Sequence, residues 1–128
     1  PAADMAAAYD VAVAILRAVE EKLAPGAPPS SLYELSAQVA AAAGLEEHFM
    51  GAGAERVRFL GHGVGMEIDE LPILAPGFDE PLVEGNVVAI EPKFVFPGRG
   101  AVGIENMYAV TATGFATMTT ASEELIRA

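Results

Sequence analysis

Val87-Val88-Ala89-Ile90-Glu91-Pro92-Lys93-Phe94-Val95-Phe96-Pro97-Gly98-Arg99-Gly100-Ala101-Val102-Gly103-Ile104-Glu105 is the stretch whose reading decides the fold. Two apolar, β-branched runs flank Pro97-Gly98-Arg99-Gly100, a cluster of turn-forming residues. That pattern predicts two antiparallel strands closed as a hairpin. Each run carries one glutamate: Glu91 follows Val87-Val88-Ala89-Ile90, and Glu105 follows Val102-Gly103-Ile104. A hairpin about that turn sets the two carboxylates opposite each other or one residue from opposite, and a bulge would shift the register by one. Like charges directly across a sheet repel, and burying a lone carboxylate is costly. Two arrangements relieve the conflict: one carboxyl keeps a proton and shares a hydrogen bond, or a cation sits between them. A different register, with both side chains in water, is the third.

Further strands are predicted on both sides: Val57–Leu60, Val64–Ile68, a long Val87–Phe96, a long Val102–Thr111 and Phe115–Thr119, the last pair joined across Thr113-Gly114. Gly61-His62-Gly63-Val64-Gly65 places a glycine at every second position. One strand face is thereby cleared for the close approach of a backbone or ligand, while His62, Val64, Met66 and Ile68 share the other. His62 is then either a hydrogen-bonded structural residue or, with carboxylates nearby, a metal ligand. One imidazole with several carboxylates suits Mn²⁺, Fe²⁺, Co²⁺ or Zn²⁺.

The chain's first part has a different period. Met5, Tyr9, Ala12, Leu16, Val19 and Leu23 form one apolar stripe, predicting a helix from about Asp4 to Ala24. Asp4 is its expected cap and Pro25-Gly26 its stop. A Pro-rich link follows. Ser31 and Glu34 are spaced as a capping box for a second helix ending near Ala43, with Gly44 as its C-terminal cap. A short closing helix is expected over Ser122–Arg127. The class is α+β: two helices covering an antiparallel sheet.

Composition narrows the function. The 128 residues carry 18 acidic against 7 basic side chains, a net charge of −11. That balance argues against nucleic acid and against an anionic membrane surface as partners. No apolar run reaches the roughly 18 residues of a membrane span. The 52% hydrophobic share overstates the core, because 25 of these residues are Ala. Zero Cys removes disulfides, thiolate ligands and a Cys nucleophile, which leaves carboxylates and two His as the chemical resource. His48 reads as a surface residue, Asp69-Glu70-Leu71-Pro72 as a turn, and Lys93 and Arg99 as solvated charges. The acid pairs Glu20-Glu21, Glu46-Glu47 and Glu123-Glu124 read as solvated faces. Pro1 suggests a processed chain or an excised piece.

Gly61-His62-Gly63-Val64-Gly65, Ile90-Glu91-Pro92 and Ile104-Glu105-Asn106 resemble, in that order, the motifs of the pita-bread metallopeptidases: methionine aminopeptidases, X-prolyl aminopeptidases, prolidases and creatinase. The gaps of 29 residues from His62 to Glu91 and 14 from Glu91 to Glu105 are closest to the prolidase-like branch. The resemblance covers nearly the whole chain. It implies the C-terminal portion of a pita-bread domain over residues 1–128, with helices packed on a curved sheet. His62, Glu91 and Glu105 would be metal ligands, Glu105 bridging two ions, with Glu91 and His62 also catalytic. The family's two aspartate ligands fall upstream of the position matching Pro1.

The implied activity is that of an X-prolyl aminopeptidase or dipeptidase. Two divalent ions (Mn²⁺, Co²⁺, Zn²⁺ or Fe²⁺) share a water nucleophile and polarise the scissile carbonyl. A peptide or small-molecule substrate, a homodimeric intact protein and a cytoplasmic location come with it. A creatinase-like hydrolase of a non-peptide substrate and a catalytically silent peptide-binding module are the alternatives. With three of five ligands, residues 1–128 alone are expected to be inactive, to hold at most one metal weakly, and to self-associate through exposed sheet surface. Where proline-specific relatives usually carry substrate-binding histidines, this chain has Arg58 and Asp69. Where they carry an Arg and an acid around the last glutamate, it has Gly103 and Asn106.

Overall fold

In the computed structural model, which describes residues 2–127, helices α1 (Ala3–Glu20) and α2 (Pro29–Ala42) come first. The apolar stripe of α1 is its buried face: Ala8, Tyr9, Ala12, Ile15, Leu16 and Val19. The ends differ from expectation. Asp4 lies inside the first turn, after an N-cap at Ala2 that has no side-chain bond. The helix stops at Glu20, before Pro25-Gly26, because its last turn tightens: Lys22 N donates to Val19 O and Leu23 N to Glu20 O, each three residues back. Gly26, at φ 92°, serves the following link.

The predicted capping box is absent as well. Pro28 and Pro29 occupy the N-cap and first helical position of α2, where a fixed φ is pre-set and no N–H is lost. Ser31 is therefore within the first turn, and its Oγ donates to Pro28 O at 2.7 Å. The C-terminus follows expectation: Gly44 takes φ 70°, Leu45 N bonds Ala40 O and Gly44 N bonds Ala41 O. These two bonds make a Schellman motif.

Seven strands follow: β1 (Gly61–Gly63), β2 (Glu70–Leu74), β3 (Val87–Ile90), β4 (Lys93–Phe96), β5 (Gly100–Gly103), β6 (Asn106–Thr111) and β7 (Gly114–Thr117). A five-stranded antiparallel sheet runs in the order β2-β1-β3-β6-β7, and β4 pairs with β5 in a separate ribbon. Both long predicted strands are thus broken, at Glu91-Pro92 and at Ile104-Glu105. Proline has no N–H to give a ladder, and the break lets the ribbon leave the main sheet. Val57–Leu60 is loop, and no strand forms over Val64–Ile68: the strand lies just before it, as β1, and Met66 and Ile68 are exposed. The stretch read as a turn, Glu70-Leu71-Pro72, opens β2. As an edge strand it has an unpaired side that tolerates proline. Residues 122–127 are irregular rather than helical.

The glycine reading holds. A Cβ on Gly61 would sit 2.1 Å from Ala89 O, and one on Gly63 2.3 Å from Leu71 O. Only glycine allows β2 and β3 to close on β1 at these points. The inward face of β3 and β6 (Val88, Ile90, Tyr108, Val110) meets Ala12, Ile15, Leu16 and Val19 in one core, joined by Phe49, Leu60, Leu74 and Phe94.

Candidate metal centre

Strand alternation and register bring three side chains to one place. His62 pairs with Ala89 of β3, and Ala89 and Glu91 point to the same face. Glu91 N donates to Leu60 O at 2.9 Å, which holds this end of β3 beside the start of β1. The ladder β3–β6 ends with Ile90 opposite Asn106, and the ribbon resumes with Lys93 opposite Gly103. One register runs through both ladders, so Glu91 faces Glu105 across the gap between them. Ligand atoms of His62, Glu91 and Glu105 all lie within 4.8 Å of one another.

The three are not equally buried. His62 is 8% exposed, Glu91 is half-buried, and Glu105 faces solvent. The expectation of two carboxylates enclosed in strand therefore applies only to Glu91. Burial pushes its pKa up, and the neighbouring Glu105 charge adds to that push, against Lys93 and His62. On His62, Nδ1 meets Gly63 O at 3.0 Å, so this nitrogen donates. Nε2 faces Glu91 Oε2 at 3.4 Å and Asp69 Oδ1 at 3.0 Å. Burial alone would lower the imidazole pKa, but the Gly63 carbonyl and the two carboxylates outweigh it and raise it. A backbone carbonyl on Nδ1 leaves Nε2 as the atom that can ligate.

This donor set fits a divalent cation. One imidazole and two carboxylates within reach of a single point are borderline-hard ligands. Like charges on Glu91 and Glu105 are relieved by positive charge between them. A shallow groove of about 330 Å³ opens beside them, lined by Glu91, Pro92, Lys93, Gly103, Ile104 and Glu105. Lys93, read from sequence as solvated, is part of this wall. Its signal was its register partner, Gly103, where a Cβ would come within 2.7 Å of Lys93 Cβ.

Of the two residues read as substrate contacts, Asp69 reaches the centre, with its side chain 70% exposed. Arg58 is exposed and has no side-chain hydrogen bond or ion pair among the described contacts. Other charges read as solvated are engaged. Arg99 forms a two-pronged pair with Asp4, at 2.6 and 2.8 Å. Glu20 accepts from Tyr108 Oη at 2.8 Å and from Arg17. Glu123 accepts from Asn106 Nδ2 at 2.7 Å and from Arg17. His48 Nδ1 bonds Val95 O at 2.8 Å, and its ring stacks on Phe96.

An imidazole and two carboxylates meet at a break between two antiparallel ladders of this α+β chain, a donor set of the kind that holds a divalent metal ion. The chain belongs to metallopeptidase family M24, whose profile matches residues 1–112. It is 34% identical to the probable dipeptidase PepE of Mycobacterium tuberculosis over 126 residues, 98% of this chain and 32% of that protein. It is also 34% identical to the Xaa-Pro dipeptidase of Lactobacillus delbrueckii subsp. lactis, again over 98% of this chain and 32% of the relative. Among solved structures, dipeptidase PepE from Mycobacterium ulcerans superposes with a TM-score of 0.87 at 32% identity, covering 98% of this chain and 32% of that one. The prolidase from Pyrococcus horikoshii gives 0.86 at 29% identity, covering 98% and 34%. The prolidase-like branch is the one these relatives represent. The chain spans about a third of the length of the curated relatives it matches.

Proposed function

We propose that residues 1–128 are the C-terminal part of the catalytic domain of an X-prolyl aminopeptidase or dipeptidase, with His62, Glu91 and Glu105 as metal ligands. The observation that carries this reading is the convergence of the three side chains within 4.8 Å. When bound, two divalent ions supply the positive charge that acidifies a water and polarises the scissile carbonyl. His62 presents Nε2 because Nδ1 is committed to Gly63 O. Glu105, on the solvent side, supplies a carboxylate with two oxygens to share. Glu91, half-buried and with a raised pKa, is suited to take the proton of the attacking water and return it to the leaving amine.

Residues 1–128 alone are inactive on this reading and bind at most one ion weakly, since three side chains do not complete a two-ion site. The decisive experiment has two arms. Calorimetry of residues 1–128 with Mn²⁺ is expected to give no more than one weak site. Proline release from an X-Pro dipeptide, with Mn²⁺ or Co²⁺, is expected only when the preceding part of the domain is present. Metal-dependent turnover by residues 1–128, or none by the longer protein, would overturn the reading.

One observation favours a second reading, a creatinase-like hydrolase of a non-peptide substrate. Asp69, an acceptor when ionised, stands 3.0 Å from His62 Nε2, where a donor would be needed to hold a developing oxyanion. Metal-dependent hydrolysis of a small non-peptide C–N substrate by the longer protein, without cleavage of any X-Pro peptide, would select this alternative.

A further inference from the structure

Glu105 directly precedes Asn106, the first residue of β6, and the two side chains point to opposite faces. Glu105 points to solvent at the metal centre, while Asn106 is 3% exposed on the inner face. A buried amide needs partners. Asn106 Nδ2 donates to Glu123 Oε1 at 2.7 Å and lies 3.5 Å from Tyr108 Oη. Glu123 belongs to an irregular C-terminal segment and is itself clamped twice more. Its backbone carbonyl accepts from Tyr9 Oη at 2.7 Å, and its carboxylate accepts from Arg17, both on α1.

The neighbours of Glu105 make this clamp matter. Asn106 is the first residue of β6 and pairs with Ile90, the last residue before Glu91. On its other side, Ile104 N reaches Pro92 O at 3.2 Å. Between these two points Glu105 belongs to neither ladder. Its backbone position therefore depends on how firmly Asn106 is held, and the charged acceptor that holds Asn106 comes from 17 residues further on.

We propose that Glu123 is a positioning residue for the metal centre: through Asn106 it fixes the start of β6 and so the carboxylate of Glu105. This rests on the reading of Glu105 as a metal ligand. It assigns the C-terminal segment a part in metal affinity although the segment touches no candidate ligand. The hydrogen bond from Asn106 to the Glu123 side-chain oxygen is the operative contact, and the Arg17 contact is dispensable.

The test uses the 128-residue chain with Mn²⁺ as the only probe, at matched folded fraction by circular dichroism. Glu123→Ala is expected to weaken Mn²⁺ binding about tenfold, the scale for groups that orient ligands. Glu123→Gln keeps an acceptor for Asn106 and is expected to stay within about twofold of the parent. Arg17→Ala, which removes the other arm, is expected to do the same. If the alanine variant does not fold, Glu123→Asp replaces it, since withdrawing the acceptor by one methylene breaks the same bond. The carboxyl ¹³C resonance of Glu105, read without metal, is expected to move in Glu123→Ala and not in Glu123→Gln. Unchanged affinity and an unmoved resonance in a folded Glu123→Ala overturn the positioning role. A moved resonance with Mn²⁺ affinity unchanged overturns the reading of Glu105 as a ligand instead, and with it the effect on affinity.

Discussion

Strand β6 begins between two groups of glutamates, and the two are built in opposite ways. On the outer side, Glu91 and Glu105 face each other with one imidazole and no full complement of donors. On the inner side, Glu20 and Glu123 are met by Arg17, Tyr108 and Asn106, each through a direct hydrogen bond. The inner group is complete as it stands, and no buried side-chain polar atom among the described residues lacks a partner. In the outer group, proximity raises the cost of charge instead of offsetting it. A satisfied network stabilises a fold, whereas carboxylates crowded by like charge are candidates for a binding site.

The largest expected effect tests the frame that both groups share. Gly61→Ala would drive a Cβ into Ala89 O at 2.1 Å. A loss of about 3 kcal/mol or more is expected, read as a lower midpoint in urea. A change below the error of that measurement would mean β1 and β3 can separate freely.

Next comes the outer group. Glu91→Gln should cut Mn²⁺ affinity by about tenfold or more, by analogy with the loss of ligand-orienting groups. It should not lower the melting temperature of the metal-free chain, because it removes a charge that burial and Glu105 disfavour. A clear drop in that temperature would place Glu91 with the satisfied glutamates.

The inner group should respond the other way. Tyr108→Phe removes a buried donor to Glu20 and should cost about 1–2 kcal/mol, with Mn²⁺ affinity unchanged. Burial also pushes the Tyr108 phenol well above its ordinary value, with the Glu20 bond adding to it. The folded state then keeps its proton where the unfolded chain loses it. Stability should fall as pH rises above about 10, and this slope should become shallower in Tyr108→Phe, with the smaller part due to Tyr9, whose phenol burial also pushes up, remaining.

The smallest effect concerns the exposed pair at the start of α1. The Arg99 hydrogen bond holds Asp4 down to about 2 against an ordinary 3.8. A depressed carboxyl contributes above its unfolded pKa and ceases to contribute as pH falls through the folded one. The parent should therefore lose slightly more stability than Arg99→Gln between pH 4 and pH 2. Equal acid profiles would show that the pair is fully screened.

How much of this was legible in the sequence depends on where each partner lies. The hairpin register was, because a turn and its strands are neighbours: Glu91 and Glu105 fall opposite each other, as one of the two settings allowed. The helix stripe and the Gly61 and Gly63 close approaches were legible from periodicity. The breaks at Pro92 and Ile104 were not, since unbroken apolar runs hide a change of sheet. Nor was Glu123, whose partners Tyr9 and Arg17 lie 114 and 106 residues away. No local pattern distinguishes such an acid from the solvated Glu124 beside it. The apolar run Val102-Gly103-Ile104 reads as a buried strand segment, but only Val102 and Ile104 pack against the core, and Glu105 beside them faces solvent.

The gap between the two ladders has one more consequence, and it concerns how the molecule can vary. Glu91 and Glu105 take their alignment from β3 and β6, on one side of the gap. The ribbon around Pro97–Gly100 lies on the other side and continues the same register. A tip changed by equal steps on both arms would keep that register, so the carboxylates would still face each other even where the Arg99–Asp4 pair was lost.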